Sequence, residues 1–219
     1  MTTKPKIQID KDSLAIDFSE RCFFVSESEE HFSRKLRGKI ISYDFETDKE
    51  VCIGEIVLNN INIGEARNAG RELFFVLDES QDVHDCFTGL WDDEIEDLDD
   101  EIINKIAGDF TYISNVTIIE HLELKPKYRG NNLSTRIFQI VKYANPQSEA
   151  LLILPKNQSK KLKALYKKSG FKPIPKSDAM IYFTEFRGKL DIAYDEDHFS
   201  IDQMFRGHAK EKAKEAKLS

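Results

Sequence analysis

The chain has 219 residues, of which 40% are hydrophobic and 11% aromatic, with 15 Phe and 7 Tyr. A chain of this size buries roughly 70% of the surface it exposes when unfolded, so wholesale disorder is excluded. Lys and Arg number 32 against 39 Asp and Glu, a net charge of -7, which argues against a surface given over to nucleic acid or anionic lipid but allows a local basic patch.

Cys22, Cys52 and Cys86 are an odd count at irregular spacing, so neither a disulfide framework nor a metal site is expected. Reduced thiols point to the cytoplasm. No apolar run follows the charged start Met1-Thr-Thr-Lys-Pro-Lys, and no window approaches 18 uncharged apolar residues, so neither a secretory leader nor a membrane span is expected.

Residues 1–37 are mixed and polar, and an apolar knot at Cys22 to Val25 predicts a strand around 21–27 followed by a short helix from Ser28. From Lys39 the period becomes two. Ile41, Tyr43 and Phe45 alternate with Ser42, Asp44 and Glu46, then Asp48-Lys49 turns the chain into Val51 to Val57, a hairpin. Glu65 to Trp91 changes to helical spacing and predicts one or two helices, with Leu73, Phe74, Leu77, Val83, Cys86, Phe87 and Leu90 three or four apart.

Residues 92–101 hold eight carboxylates in ten positions. Such a block repels itself and is expected to be a solvated loop or helix edge; the alternative is an acidic lip acting on a cationic substrate or partner through its field. A calcium loop is disfavoured, because the Gly turn and fixed ligand offsets are missing.

The second half reads as strand (Tyr112 to Leu124, ended by Pro126), helix (Leu133 to Tyr143), a wholly apolar buried strand (Ala150 to Leu154), helix (Ser159 to Ser169, stopped by Gly170), and two closing strands (Phe171 to Ile174 and Met180 to Phe186). A strand, helix, strand unit makes this half α/β with at least one parallel pair. After Arg187 a basic tail with few apolar anchors is expected to be a frayed helix.

The stretch Leu122-Glu-Leu-Lys-Pro-Lys-Tyr-Arg-Gly-Asn-Asn-Leu-Ser-Thr135 places a strand end, a turn and a helix start within a few residues. At a helix start several backbone N–H groups are unpaired and the peptide dipoles add about half a positive charge, so a phosphate is favoured there, with Arg129 as a nearby cation. Gly130 leaves room for approach, and Asn131 and Asn132 tolerate left-handed backbone.

In this context the sequence resembles the GNAT superfamily of acyl-CoA-dependent N-acetyltransferases over roughly residues 112–186. Leu122-x-Leu124-x-Pro126-x-Tyr128-Arg129-Gly130-x-x-Leu133-Ser134 is similar to the family's diphosphate loop, with Asn132 where a second Gly is usual and Ser134 where Gly or Ala is usual. Ala164-Leu-Tyr-Lys-Lys-Ser-Gly-Phe171 is similar to its Leu-Tyr-x-x-x-Gly-Phe segment.

The resemblance implies a mixed, mostly antiparallel sheet flanked by helices over residues 38–186, an α/β (α+β) fold; the helical, acidic stretch 66–107 is an insertion between the third and fourth strands, where the family usually has a short turn. It implies acetyl-CoA as co-substrate, and contacts to it from Leu122, Leu124, Arg129, Gly130, Asn131, Asn132, Leu133, Ser134 and Thr135. Asn157 and Ser159 lie near the place of a further cofactor contact. It assigns Tyr166 as general acid to the leaving thiolate; the alternative for this residue is an aromatic packed on the sheet.

Glu120 is the candidate general base, since a carboxylate among Ile118, Ile119 and Leu122 has a raised pKa if buried; the alternative is an outward-facing strand residue. Simple alternation puts His121 and Glu123 on the opposite side of the strand. A bulge near this point, common in the family, frees the N–H and C=O of Leu122 and Leu124 to pair with the pantetheine arm. The expected reaction is direct transfer of acetyl to a primary amine of a cationic small molecule or a protein lysine. No membrane partner is expected, direct nucleic-acid binding is disfavoured, and a homodimer is left open. The rival readings are a non-catalytic binding module and an acidic protein acting on a macromolecular partner.

Overall fold

The computed structural model describes residue 9 and residues 11–20, 32–44, 47–108, 112–155 and 160–184. The expected strand at 21–27, the helix after Ser28, the start of the helix at Ser159 and the basic tail 187–219 lie outside them. Within Met1–Thr184 the chain is α+β, built on a seven-stranded sheet in the order β1-β2-β3-β6-β7-β9-β8. These strands are β1 (Leu14–Glu20), β2 (Ser33–Asp44), β3 (Lys49–Asn62), β6 (Asn115–Leu124), β7 (Ala150–Ile153), β8 (Lys172–Pro173) and β9 (Met180–Phe183). Every neighbouring pair is antiparallel except β6 and β7.

Helices cover both faces. On one lie α1 (Ile63–Asn68), α2 (Leu73–Leu77), α3 (Gln81–Phe87) and α4 (Asp100–Ala107), all inserted between β3 and β6. On the other lie α5 (Ser134–Ala144) and α6 (Lys160–Lys168). The central strands accordingly lose their period of two: Val116 to Ile119, with the Thr117 hydroxyl paired to Asn60 and Ser148, and all of β7 are buried at every position, because each face of these strands meets a helical layer. Ile118 and Leu152 pack into the α1–α4 core, Ile119 and Ile153 into the α5–α6 core.

The predicted hairpin is β2–β3, longer at its open end than its alternation suggests, since it begins at Ser33 and runs to Asn62, while Phe45 and Glu46 lie outside the described residues. The helical stretch after Glu65 is three short helices rather than one or two. Asn62 caps α1 through the Glu65 N–H, Ser80 caps α3 through the Val83 N–H, and Asp99 caps α4 through the Ile102 N–H. Gly108, at φ 88°, ends α4 in the left-handed conformation.

The acidic run is a largely exposed hairpin turn that leads into the first turn of α4, with Asp93 to Glu96, Asp100 and Glu101 exposed. Trp91–Asp92 and Asp97–Leu98 form a two-stranded hairpin, β4–β5. Its carboxylates find fixed donors: the Arg67 guanidinium reaches both oxygens of Asp97, at 3.1 Å from Nε and 2.5 Å from Nη2, and Asp99 is spent on the α4 cap. Burial opposes the Arg67 charge, and Asp97 more than restores it.

Gly54 permits the close approach of β3 to the end of β6. A Cβ there would stand 2.3 Å from the Glu123 carbonyl oxygen. Gly54→Ala is therefore expected to cost about 2 kcal/mol or more, read as a lowered urea midpoint at unchanged slope; an unaffected midpoint would show that the end of β6 is free to move away.

Cys86 is buried and Cys52 half-buried, both free thiols, and burial, helped by Asp82, Asp85 and Glu120, pushes Cys86 up to about 12. Cys22 lies outside the described residues. Among the described residues no helix is long and apolar enough to cross a membrane, and no group of three His, Cys, Asp or Glu could hold a metal ion.

Candidate active site

The site begins where two parallel strands part. β6 and β7 pair from Val116↔Ala150 to Ile119↔Ile153, and there β7 ends while β6 runs on to Leu124. On its other edge β6 stays paired with β3, but the register slips: Val57 faces His121 and Leu58 faces Ile119, leaving Glu120 as the extra residue of a bulge. Residues 120–124 thus have β3 on one edge and no strand on the other among the described residues. A wedge opens in the sheet.

The chain then builds the floor of that wedge. Pro126–Tyr128 makes a 3-10 turn that buries Tyr128, and the Asn131 side chain donates to the Tyr128 carbonyl at 2.9 Å. Gly130 and Asn132 both take positive φ, 80° and 55°. Asn is the non-glycine residue that best tolerates this conformation, so Asn132 suits the second positive-φ position of the loop.

α5 then starts at Ser134 with Leu133 at the N-cap position and no side-chain cap. The main-chain N–H groups of Asn132, Leu133, Ser134 and Thr135 have no partner among the described residues. In α1, α3 and α4 one such donor is taken by Asn62, Ser80 and Asp99 respectively; α5 has no side-chain cap and starts beside a cleft.

That cleft has a volume of about 660 Å³. β6 contributes Leu122 and Leu124, the loop and α5 contribute Arg129 to Ser134 and Ile137, and α6 contributes Lys161, Leu162, Ala164, Leu165, Tyr166 and Lys168. The walls are aliphatic and the charged rim is basic. α6 carries five Lys in nine residues and no carboxylate, so a chain of net charge -7 presents a local positive field here. An apolar trough with uncapped helix donors and lysines suits a ligand with an aliphatic arm and phosphates.

Tyr166 lines the cleft from α6 and is 8% exposed. Its ring packs edge-on to Phe138 at 5.8 Å and tilted against Phe171 at 6.0 Å. Burial raises the phenol pKa, so it stays protonated at neutral pH, and the hydroxyl has no hydrogen-bond partner among the described residues.

Arg129 lines the cleft with its guanidinium already paired within the chain. Nε donates to the Leu124 carbonyl at 2.7 Å and Nη2 to Glu123 Oε1 at 2.8 Å, so the guanidinium ties the loop back to β6. The Leu124 carbonyl thus accepts one hydrogen bond from within the chain and keeps a second lone pair.

Glu120 is absent from the cleft lining and faces the α1–α4 layer. Its Oε1 accepts from Asn59 Nδ2 at 3.2 Å and lies 3.3 Å from Lys35 Nζ. Glu79, from the turn between α2 and α3, completes the cluster: Oε1 is 3.3 Å from Lys35 Nζ, and Oε2 accepts from Asn59 Nδ2 at 2.9 Å and Ser33 Oγ at 2.5 Å. His121 pairs with Val57 on this same face, so the bulge overturns the expectation that Glu120 and His121 point oppositely.

Burial raises the Glu79 pKa, but the Ser33 and Asn59 hydrogen bonds and the Lys35 charge outweigh it and hold the carboxyl below its ordinary 4.5. Burial likewise lowers Lys35, and Glu79 and Glu120 more than reverse that, raising it above 10.5. The lowered Glu79 pKa contributes stability that is complete above 4.5 and is lost as pH falls through the folded value. Acid titration of the melting temperature is expected to show this loss below about pH 4.5, with a shallower fall in Glu79→Gln; identical slopes would contradict the cluster.

Of the expected contacts, Leu122, Leu124, Arg129, Gly130, Asn131, Asn132, Leu133, Ser134 and Tyr166 line one cleft. Thr135 does not; its hydroxyl is 3.4 Å from Ser169 Oγ. Asn157 and Ser159 lie outside the described residues. Sequence reasoning did not identify the α6 lysines or the Lys35–Asn59–Glu79 cluster. The Lys-rich polar face of α6 was a usable signal; the cluster had none, since its members lie on three separate elements. The acidic insertion reaches Glu120 through Glu79, not through the 92–101 run. No protein-family model matches the chain, and no curated protein matches it.

Proposed function

We propose that this protein is an acyl-CoA-dependent N-acyltransferase of the GNAT type, moving an acetyl group from acetyl-CoA to a primary amine. One observation carries the reading: the uncapped start of α5, the aliphatic walls and the buried phenol of Tyr166 line a single cleft beside the parted strands β6 and β7. The N–H groups of Asn132 to Thr135 take the diphosphate, Lys161 and Lys168 supply countercharge, and Leu122, Leu124, Leu162 and Leu165 hold the pantetheine arm.

The amine approaches from the opposite face, where Glu120 marks the bulge at the apex of the wedge. Glu120, directly or through water, removes the proton as nitrogen attacks the thioester carbonyl. The C–N bond forms, the C–S bond breaks, and Tyr166 protonates the departing sulfur. A carboxylate pair on that face favours a cationic acceptor, a small amine or a protein lysine.

Calorimetry with acetyl-CoA, followed by mass spectrometry of amine panels with labelled acetyl-CoA, tests the reading. Micromolar binding with label transfer supports it. Binding without transfer to any amine supports a binding module, and no binding at millimolar cofactor overturns the reading.

A further inference from the structure

We infer that the outward face of α2, with Trp91 beside it, docks a basic segment of a partner protein, one that carries Lys or Arg together with an apolar side chain. The inference stands apart from the acyltransfer reading, since nothing in it requires coenzyme A. α2 buries Leu73, Val76 and Leu77 in the α1–α4 core and leaves Phe74 and Phe75 outside that stripe, 43% and 53% exposed. On a surface helix those two positions are ordinarily polar.

The aromatic side chains form one group. The Phe74 ring meets Phe75 at 5.9 Å, Trp91 at 6.1 Å and His84 at 6.3 Å, each edge-on. Trp91 is half-buried and opens the β4–β5 hairpin, whose turn holds Ile95 at 62% exposure. The described residues expose six large hydrophobic side chains, and three of them, Phe74, Phe75 and Ile95, fall in this one stretch. Aromatic rings clustered in the open mark an interaction surface, whereas single exposed residues do not.

Charge selects the occupant. Residues 72–104 hold 13 Asp and Glu and no Lys or Arg. Of these carboxylates Asp78, Asp82, Asp93, Glu94 and Glu96 are exposed. A second copy of the chain would bring a like-charged surface against this one, and nucleic acid or an anionic bilayer is repelled in the same way. A neutral apolar partner would strip water from the carboxylates and return no countercharge. A basic segment meets both demands. Its Lys and Arg pair with the rim and lie over the Phe and Trp faces, while its apolar side chain covers the rings.

Trp91 is the single tryptophan of the chain, so its emission reports this surface directly. The experiment titrates full-length chain with a short synthetic peptide of alternating Lys, Arg and Leu, free of Trp, and follows Trp91 fluorescence, with calorimetry on the same samples. Saturable binding with a shift in emission is expected, weakening as salt is raised. Phe75→Ser is expected to weaken it at least about tenfold. A triple variant, Asp93→Asn, Glu94→Gln and Glu96→Gln, is expected to weaken it at least about threefold and to flatten the salt dependence. Thermal melts confirm that each variant is folded; should Phe75→Ser not fold, Phe75→Lys replaces it with the same expected loss.

Four results would overturn the inference: no binding at millimolar peptide, unchanged affinity in Phe75→Ser, equal affinity for spermine or for the peptide with Leu replaced by Ser, and dimerisation of the free chain that Phe75→Ser abolishes. The third would reveal a general polycation field and the fourth a second copy on this face. Coenzyme A binding is expected to be unchanged in Phe75→Ser, so the acyltransfer reading stands or falls separately.

Discussion

Ser134→Glu is expected to weaken coenzyme A binding at least about 100-fold while leaving the folded chain as stable as before, or slightly more so. The two signs separate because they have different origins. Ser134 is the first residue of α5 and lines the cleft. A carboxylate in a first helical turn interacts favourably with the helix dipole and unpaired N–H groups, worth about 0.3–1 kcal/mol. The same charge beside a diphosphate is repelled: at about 4–6 Å and an effective dielectric near 20, each pair of unit charges costs about 3–4 kcal/mol. About 2.7 kcal/mol is already 100-fold. Calorimetry and thermal melts of the variant read both quantities, with Ser134→Ala near wild type in each. Unchanged affinity in Ser134→Glu would place the phosphates elsewhere.

Tyr166→Phe is the second large effect, and it falls on turnover alone. Losing a general acid is expected to lower kcat about 100-fold, with the cofactor dissociation constant within about twofold of wild type. Stability is expected to shift by less than about 0.5 kcal/mol, because the hydroxyl has no partner among the described residues to lose and the ring keeps its contacts with Phe138 and Phe171. Burial raises the phenol above its ordinary 10.0, so its loss of a proton adds no alkaline limb to the kcat profile below that pH. Steady-state kinetics across pH 6–9.5 checks both points. A kcat within threefold of wild type would leave Tyr166 a packing residue.

The legible parts of this molecule were those written in local chemistry. Leu122 to Ser134 announces itself through a strand that stops at Pro126, a glycine, and a turn-tolerant Asn at the second positive-φ position, and the structure puts these residues around one cleft. Ala150 to Ile153 reads as a doubly covered strand because no polar residue interrupts it. β1 carried the same signal as residues 41–46, with Leu14, Ile16 and Phe18 alternating with exposed Ala15, Asp17 and Ser19, but over only seven residues at the edge of the sheet.

The face of Glu120 was not readable, because one extra residue in β6 shifts everything after it and a bulge leaves no mark in composition. Nor was its environment readable. Lys35 and Glu79 are 44 residues apart in sequence and meet Glu120 only after the insertion folds onto the sheet. The acidic run drew attention by its density, yet a single carboxylate outside it, Glu79, is the insertion's link to the site.

The most direct test of the account is an amide titration. In ¹H–¹⁵N correlation spectra of uniformly labelled chain, addition of coenzyme A is expected to give saturable shifts that are largest for the N–H groups of Asn132, Leu133, Ser134 and Thr135, with smaller ones along Leu122 to Leu124. The open donors of α5 would then be shown to hold the diphosphate. Saturable shifts confined to other residues, or no shifts at millimolar coenzyme A, would contradict the account.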